Sequence, residues 1–178
     1  PYPWTIRTSE SATGDNTTIY NATLVNPYQA VRIGPEWNEL HTLRNVYATA
    51  LRCGVSIDTT TDIGRLIDVD FGPEWWETSG LFGAPTTDEA RQALRSALLS
   101  DAVAIDMGRS DWEDVYGLRV RGYGVGMKVR PGAQGTTNGV LYACSLEDCA
   151  RVLSAPRSET RPSHSSPALA RCRAFASL

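Results

Sequence analysis

The segment from Gly122 to Gly126, Gly-Tyr-Gly-Val-Gly, is the first candidate for chemistry. Glycine-rich turns can hold a phosphate group on backbone N–H groups, but such a turn joins a strand to the start of a helix. Here Met127, Lys128 and Val129 follow, and they continue a strand. Along residues 118–129 the three glycines fall on the same face of an extended chain. This alternation favours a strand whose glycines leave one face without side chains, so that another segment can pack closely there. An enzyme that binds a nucleotide or a phosphorylated substrate through this segment is kept as an alternative.

Acidic residues and histidines are the next candidates for a reactive site. The acidic residues that stand close together are Asp68 and Asp70, and Asp111, Glu113 and Asp114. Such carboxylates could bind a divalent ion, but charged side chains are mostly solvated, so we favour an exposed edge. His41 and His164 are the available bases for a catalytic triad, and neither has a nucleophile and an orienting group at a recognisable spacing. We therefore predict no catalytic, cofactor-binding or metal-binding residues, and no enzymatic activity.

Composition and charge argue against several classes of protein. The chain has 178 residues, a net charge of −3 and four cysteines, without a Cys-x-x-Cys pair. No apolar run approaches the length of a membrane span, and the mild acidity argues against a dedicated duplex-binding protein. We expect a reduced, intracellular protein that does not contact a membrane. The sequons at Asn16 and Asn21 keep a secreted adhesion module as a further alternative.

Hydrophobic periodicity predicts an α+β fold, with mixed helices, short antiparallel strands, an extended N-terminal arm and a C-terminal tail. The predicted helices cover residues 35–54, 85–100, a short turn after Ser110, and a segment from Ser145 to Leu153. The strands before and after the loop at residues 131–139 are expected to form a hairpin. These elements divide the chain into an arm (1–34), a body (35–153) and a Pro/Ser/Arg-rich tail (154–178).

Aromatic and basic residues suggest surfaces for partners. Five residues are candidates for subunit interfaces, since aromatic side chains are enriched there: Trp4, Trp37, Trp75, Trp76 and Tyr123. Four arginines in the tail are candidates for contact with RNA or an acidic surface, although a solubilising tail is the simpler interpretation: Arg157, Arg161, Arg171 and Arg173.

The stretch from Asp111 to Gly135 resembles a segment near the C-terminal end of the capsid proteins of totivirus-like double-stranded RNA viruses. The resemblance rests on a Trp-bearing helix, a Leu-Arg-Val-x-Gly-Tyr core, and a Lys-Val strand before a glycine-containing loop. The matching residues are Trp112, Leu118, Arg119, Val120, Gly122, Tyr123, Lys128 and Val129. The family's chains are several times longer, so the resemblance implies a fragment, and no histidine matches the family's catalytic context.

This resemblance implies a structural component of an icosahedral capsid that acts through packing between subunits. The implied partners are other capsid subunits or fragments of the same precursor, with weak contact to packaged double-stranded RNA. The implied location is the virion and the host cytoplasm.

Overall fold

The computed structural model describes residues 2–8, 11–132 and 134–155, and most of their regular structure is β. The first strands are β1 (Trp4–Arg7), β2 (Thr18–Leu24), β3 (Gln29–Ile33), β4 (Thr42–Ala48), β5 (Cys53–Ile57), β6 (Gly64–Ile67) and β7 (Asp70–Phe71). Two helices follow, α1 (Glu74–Glu77) and α2 (Asp88–Asp101). The remaining strands are β8 (Val103–Met107), β9 (Glu113–Tyr116), β10 (Arg119–Arg121), β11 (Val125–Val129), β12 (Gly139–Tyr142), β13 (Ser145–Glu147) and β14 (Arg151–Ser154).

The strands stack as successive coils of a parallel β-helix. A six-stranded sheet has the order β1-β3-β5-β8-β11-β14, and we call it the first ladder. An eight-stranded sheet contains the other strands. Its strands form two further ladders. The second ladder consists of the first half of β4 followed by β6, β9 and β12. The third ladder consists of the second half of β4 followed by β7, β10 and β13. All named pairs are parallel, so each coil covers the one before it, as in solenoid proteins.

Columns of aliphatic side chains fill the interior of the β-helix. In the first ladder, the aligned residues are Ile6, Val31, Val55, Ile105, Met127 and Leu153. Val31, Val55 and Ile105 have no exposed surface. Since each coil can bury its apolar side only against its neighbours, this stacking supplies the hydrophobic stabilisation that a single coil lacks.

A six-residue pattern repeats at the corner between the second and third ladders. It reads Ile-Tyr-Asn-Ala-Thr-Leu from residue 19, Leu-Arg-Asn-Val-Tyr-Ala from 43, Leu-Ile-Asp-Val-Asp-Phe from 66, Val-Tyr-Gly-Leu-Arg-Val from 115 and Leu-Tyr-Ala-Cys-Ser-Leu from 141. The third residue takes a left-handed conformation each time, at Asn21, Asn45, Asp68, Gly117 and Ala143. Asn, Asp and Gly adopt this conformation at low cost, so they suit a one-residue bend. Positions one, four and six of the pattern then point inward.

The α+β prediction is wrong, because strands outnumber helices by far in the described residues and the sheets are parallel. The helix predicted over residues 35–54 fails for a physical reason. Leu43, Val46 and Ala48 are all buried, and the bend at Asn45 separates them by three and then two positions. Such spacing imitates the i, i+3 period of an amphipathic helix, although the backbone is β4 throughout.

Other sequence predictions are corrected in the same way. Ser110 precedes β9 and Ser145 begins β13, so neither residue starts a helix. The predicted hairpin is absent from the described residues, since β11 and β12 pair in parallel with strands of different sheets. The segment predicted as an N-terminal arm supplies β1, β2 and β3, which are integral strands of the β-helix.

The helix predicted from residue 85 onward is confirmed as α2, which with α1 forms an insertion between β7 and β8. Its N-cap is Thr87, whose side chain accepts from the backbone N–H of Ala90 at 3.2 Å. Leu94 and Leu98 are its buried residues, so the helix covers the coil with a narrow apolar edge. Within the described chain, neither helix combines the length and the apolar character that crossing a membrane requires.

Candidate functional site

The corner between the first and second ladders differs from the repeated one, because it is built from loops of unequal length. We call it the Asp58 corner. It comprises Trp37, Asp58, Asp106, Arg109, Asp111 and Arg130. These residues follow or end strands of the first ladder in four successive coils, so parallel stacking brings them together. Loops carried on a rigid scaffold are the usual place for binding groups.

Asp58 is the centre of this corner. Its carboxylate accepts from Arg130 Nη1 at 2.8 Å, from the Thr59 N–H at 2.9 Å and from the Arg109 N–H at 3.0 Å. A Cβ added to Gly108 would lie 2.6 Å from Asp58 Cγ, and one added to Gly132 would lie 2.7 Å from Asp58 Oδ1. Glycine is therefore required on both sides, because larger residues would displace the carboxylate.

Hydrogen bonding favours the charged forms of Asp58 and Arg130. Burial acts to raise the pKa of Asp58, but the hydrogen bonds from Arg130, Arg109 and Thr59 outweigh it and keep that pKa below its ordinary value. Burial likewise acts to lower the pKa of Arg130, and its bonds to Asp58 and Asp106 raise it overall. A carboxylate with a lowered pKa is poorly suited to donate a proton at neutral pH. The corner is thus better built to hold hydrogen-bonding groups than to supply a general acid.

Arg109 links the charged centre to an aromatic surface. Its guanidinium pairs with Asp111 and lies 5.6 Å from the centre of the Trp37 ring, within the range of a cation–π contact. The Trp37 side chain is 42% exposed, so much of the indole faces solvent while the guanidinium supports it. The arrangement presents a fixed aromatic ring beside fixed charges.

Trp112 is the clearest candidate for a binding residue. It follows Asp111 directly, its φ is +60°, and 64% of its surface is exposed. A bulky residue in the left-handed region is strained by roughly 1–3 kcal/mol, and such strain concentrates at functional sites. The Trp112 N–H donates to Asn138 Oδ1 at 2.6 Å, which fixes the loop from the next coil. The fold therefore holds a strained backbone where the indole stays mostly exposed.

A buried polar network lies inside the same corner. Glu113 accepts from Ser110 Oγ at 2.7 Å and lies 3.1 Å from His41 Nε2, and all three residues are buried. Beside them, Thr60 Oγ1 donates to Asn38 Oδ1 at 2.7 Å. Buried polar groups are costly unless they are paired, so this network fixes the loops that carry the surface residues.

The network is not a nucleophilic triad. In a triad the imidazole lies between the hydroxyl and the carboxylate, whereas here Glu113 lies between Ser110 and His41. Gly64 packs directly against the network and leaves no room for a side chain, since a Cβ there would lie 2.3 Å from Glu113 Oε2 and 2.4 Å from His41 Cε1. His41 Nδ1 is a buried atom without a hydrogen-bond partner among the described residues. His41 therefore has a packing role in the interior beside Glu113.

A second charged cluster lies on the third ladder, beneath the helical insertion. The carboxylate of Asp70 is nearly buried and accepts from Arg119 Nε and Arg121 Nη2, each at 2.8 Å. The indole N–H of Trp75 also donates to it at 3.2 Å, and the Trp75 ring stacks on Tyr47 at 4.7 Å. Because the partners come from β10 and α1, this cluster ties the insertion to the β-helix.

The acidic residues singled out in the sequence are thus separated by the fold. Asp70 and Glu113 are buried in different clusters, Asp111 pairs with Arg109, and Asp68 occupies an exposed bend. Among the described residues, no group of three or more His, Cys, Asp or Glu side chains could hold a metal ion.

The predicted interface residues occupy unlike environments. Trp4 and Trp75 are half-buried, Trp76 packs against the core, and Trp37 is exposed. Tyr123 has no exposed surface, and its hydroxyl accepts from the Ala50 N–H at 2.9 Å, so it offers nothing to a neighbouring subunit. The four predicted RNA-contact residues lie outside the described residues: Arg157, Arg161, Arg171 and Arg173.

Comparison of the chain with protein-family models, with curated proteins and with solved structures found no match. Any functional conclusion therefore depends on the geometry of the chain itself.

The glycine segment lies where the third ladder turns into the next coil. The Gly124 N–H donates to Leu98 O at 2.9 Å, and the Val125 N–H donates to Ala102 O at 3.0 Å. A Cβ on Gly124 would lie 2.8 Å from Leu99 O, so glycine permits the end of α2 to approach the coil. These N–H groups are used within the fold, and the segment does not lead into a helix.

Sequence reasoning did not find the Asp58 corner, because its members are distant along the chain. Asp58 and Arg130 come together only through the stacking of coils. The available signal was the residue types that each loop contributes between two strands, namely Trp, Asp, Arg and Gly.

Proposed function

We propose that the chain is a carbohydrate-binding β-helix whose ligand lies against Trp112 and Trp37 at the Asp58 corner. The observation that carries this proposal is the exposed indole of Trp112, held on a strained backbone beside a charged corner. A sugar ring presents C–H groups on its faces and hydroxyls around its edge. Exposed indoles accommodate the faces, while carboxylates and guanidinium groups bond the hydroxyls.

Charge supports a ligand that is neither strongly anionic nor cationic. The corner contains three carboxylates and two guanidinium groups in mutual contact, so its net charge is small. A phosphate or nucleic-acid site would show an excess of cations. A neutral polyhydroxylated ligand can instead use fixed donors and acceptors of both signs, since each sugar hydroxyl both donates and accepts.

The experiment is affinity electrophoresis in gels that contain a panel of soluble neutral polysaccharides, followed by calorimetric titration with oligosaccharides of the one that retards the protein. Trp112→Ala should weaken binding by about tenfold, the loss of one stacked ring. Phe82→Ala is the matched control, since Phe82 is fully exposed on the helical insertion, outside the corner.

Equal retardation of the wild type and of Trp112→Ala would contradict the proposal. So would equal losses from Trp112→Ala and Phe82→Ala, because the effect would then be one of general surface hydrophobicity. Circular dichroism of both variants checks that the coils are intact.

The sequence-based prediction of a capsid component is tested by a different measurement. A capsid fragment should assemble with copies of itself or with other pieces of its precursor, which sedimentation and electron microscopy would detect. Carbohydrate recognition is also compatible with the adhesion module kept as an alternative, whereas a chain that forms shells and binds no sugar would favour the capsid prediction.

A further inference from the structure

Tyrosines line the outer face of the second ladder at the second position of the repeated hexapeptide. The residues aligned there are Tyr20, Arg44, Ile67, Tyr116 and Tyr142. Tyr20 is 57% exposed, Tyr116 40% and Tyr142 66%. We call these three residues the tyrosine stripe. Large exposed rings in one register are unusual on a soluble surface and mark contact sites.

The stripe reaches the coil that carries the candidate site. Side chains alternate along a strand, so Asp114 and Tyr116 share the outer face of β9, and Trp112 directly precedes that strand. Tyr116 and Tyr142 lie on adjacent coils with ring centres 6.1 Å apart and tilted by 58°. From Tyr20 to Tyr142 the register crosses four coil steps, about 19 Å at the spacing of neighbouring strands.

The composition of this face favours a sugar chain over a protein or a nucleic acid. Arg44 and Ile67 stand between Tyr20 and Tyr116 in the register. Arg65 and Asp114 lie in the neighbouring row of the same face, whereas the centre of a protein interface is depleted in charge. The face lacks the basic excess that a nucleic acid requires, and the whole chain has a net charge of −3. Rings separated by polar groups match a polymer whose units alternate apolar faces and hydroxyls.

We propose that the tyrosine stripe extends the Trp112 site into a binding surface for a linear neutral polysaccharide, whose chain runs along the axis of the β-helix. This inference rests on the proposed function and specifies its ligand. Because one coil advances by about 4.8 Å, close to the length of one pyranose unit in an extended chain, successive coils meet successive sugars. Repeat proteins commonly bind extended partners along such surfaces.

The test measures affinity against chain length. Wild-type protein is titrated with di-, tetra- and hexasaccharides of the polysaccharide that binds, and affinity should rise with each step. In the double variant Tyr116→Ala/Tyr142→Ala, the hexasaccharide should lose roughly tenfold or more, while the disaccharide at Trp112 binds as before. Tyr2→Ala is the control, because Tyr2 is 67% exposed but contacts Tyr28 beside the first ladder.

The titrations distinguish failure of the proposed function from failure of this inference. If no oligosaccharide binds wild-type protein, the proposed function fails and this inference fails with it. If affinity is the same for all lengths, or if the double variant keeps the full length dependence, the site at Trp112 survives and the stripe is excluded. Self-association that the double variant abolishes would also overturn the inference, since the stripe would then be an interface between copies.

Discussion

The two corners that flank the second ladder both turn the chain from one ladder to the next, but their backbone structures differ. The corner after the second ladder turns with a single left-handed residue in every coil, and its six-residue pattern repeats from Ile19 to Leu146. The Asp58 corner turns through loops of different length between the first and second ladders. The regular corner is supported by apolar columns, while the irregular one needs a buried polar network.

This difference separates the residues that specify the fold from those available for function. A one-residue bend leaves little freedom, because any other geometry would break the alignment of Leu43, Leu66 and Val115. At the Asp58 corner, Glu113 and its partners hold the buried ends of the loops in place. The exposed parts of these loops are then free to carry Trp, Asp and Arg. Substitutions at the two corners should therefore have different consequences.

Removal of the central carboxylate of the network should have the largest effect. Glu113→Ala leaves Ser110 and His41 buried without their shared partner, so we expect a loss of about 3–5 kcal/mol in the free energy of unfolding. Urea denaturation measures the change. Glu113→Gln keeps the shape and can still bond both partners, so its loss should be clearly smaller. Equal stability of Glu113→Ala and wild type would show that the loops do not depend on the network.

Substitutions at the left-handed residues of the regular corner should change the free energy of unfolding by less than Glu113→Ala does. The change can be destabilising or stabilising, depending on whether the new residue suits the left-handed conformation. Gly117 has φ +66°, so Gly117→Val should cost about 2 kcal/mol. Ala143 occupies the equivalent position with φ +53°, so Ala143→Gly should relieve strain and stabilise the protein by up to about 1 kcal/mol. Thermal and urea unfolding of both variants tests the pair. If both destabilise by the same amount, side-chain contacts rather than the bend determine the corner.

The sequence allowed α2 to be predicted because that helix has a local cap and a local period, from Thr87 to Asp101. The same local rule failed at β4, because the bend at Asn45 shifts the alternation of a strand into a helical spacing. A comparison of the segments that begin at Ile19, Leu43, Leu66, Val115 and Leu141 would have shown the repeat. The repeat is hidden by its varied third residue and by the insertion that separates the third occurrence from the fourth.

The candidate site was less accessible to sequence reasoning. Trp37 was predicted to be a candidate for a subunit interface, and it is exposed at the Asp58 corner. Trp112, by contrast, was predicted to anchor a short helix, which the strand β9 replaces. Nothing local in the sequence predicts that Asp58 meets Arg130, because their contact requires the stacking order of the coils. Long-range register of this kind is specified by the whole set of apolar columns.

The smallest expected effect concerns the charge of Asp58. Its folded pKa is below the ordinary value, so its ionised form contributes stability above the unfolded pKa of about 3.9, and that contribution is lost as the pH falls through the folded pKa. Asp58→Asn should therefore cost about 1 kcal/mol or less at pH 7, after allowance for solvent screening. The difference from wild type should begin to shrink below about pH 4, where Asp58 of the unfolded chain takes up a proton, and it should vanish once the folded carboxylate is neutral too.

Urea unfolding of both proteins across this pH range measures the difference, and Asp15→Asn reports the effect of removing an exposed charge elsewhere. A difference that stays constant down to pH 3 would mean that Asp58 acts through its shape between Gly108 and Gly132, not through its charge. That outcome would weaken the contrast between the corners, because the irregular corner would then also be governed by close packing. A difference that disappears with acid would instead support an electrostatic clamp on the loops that present Trp37 and Trp112.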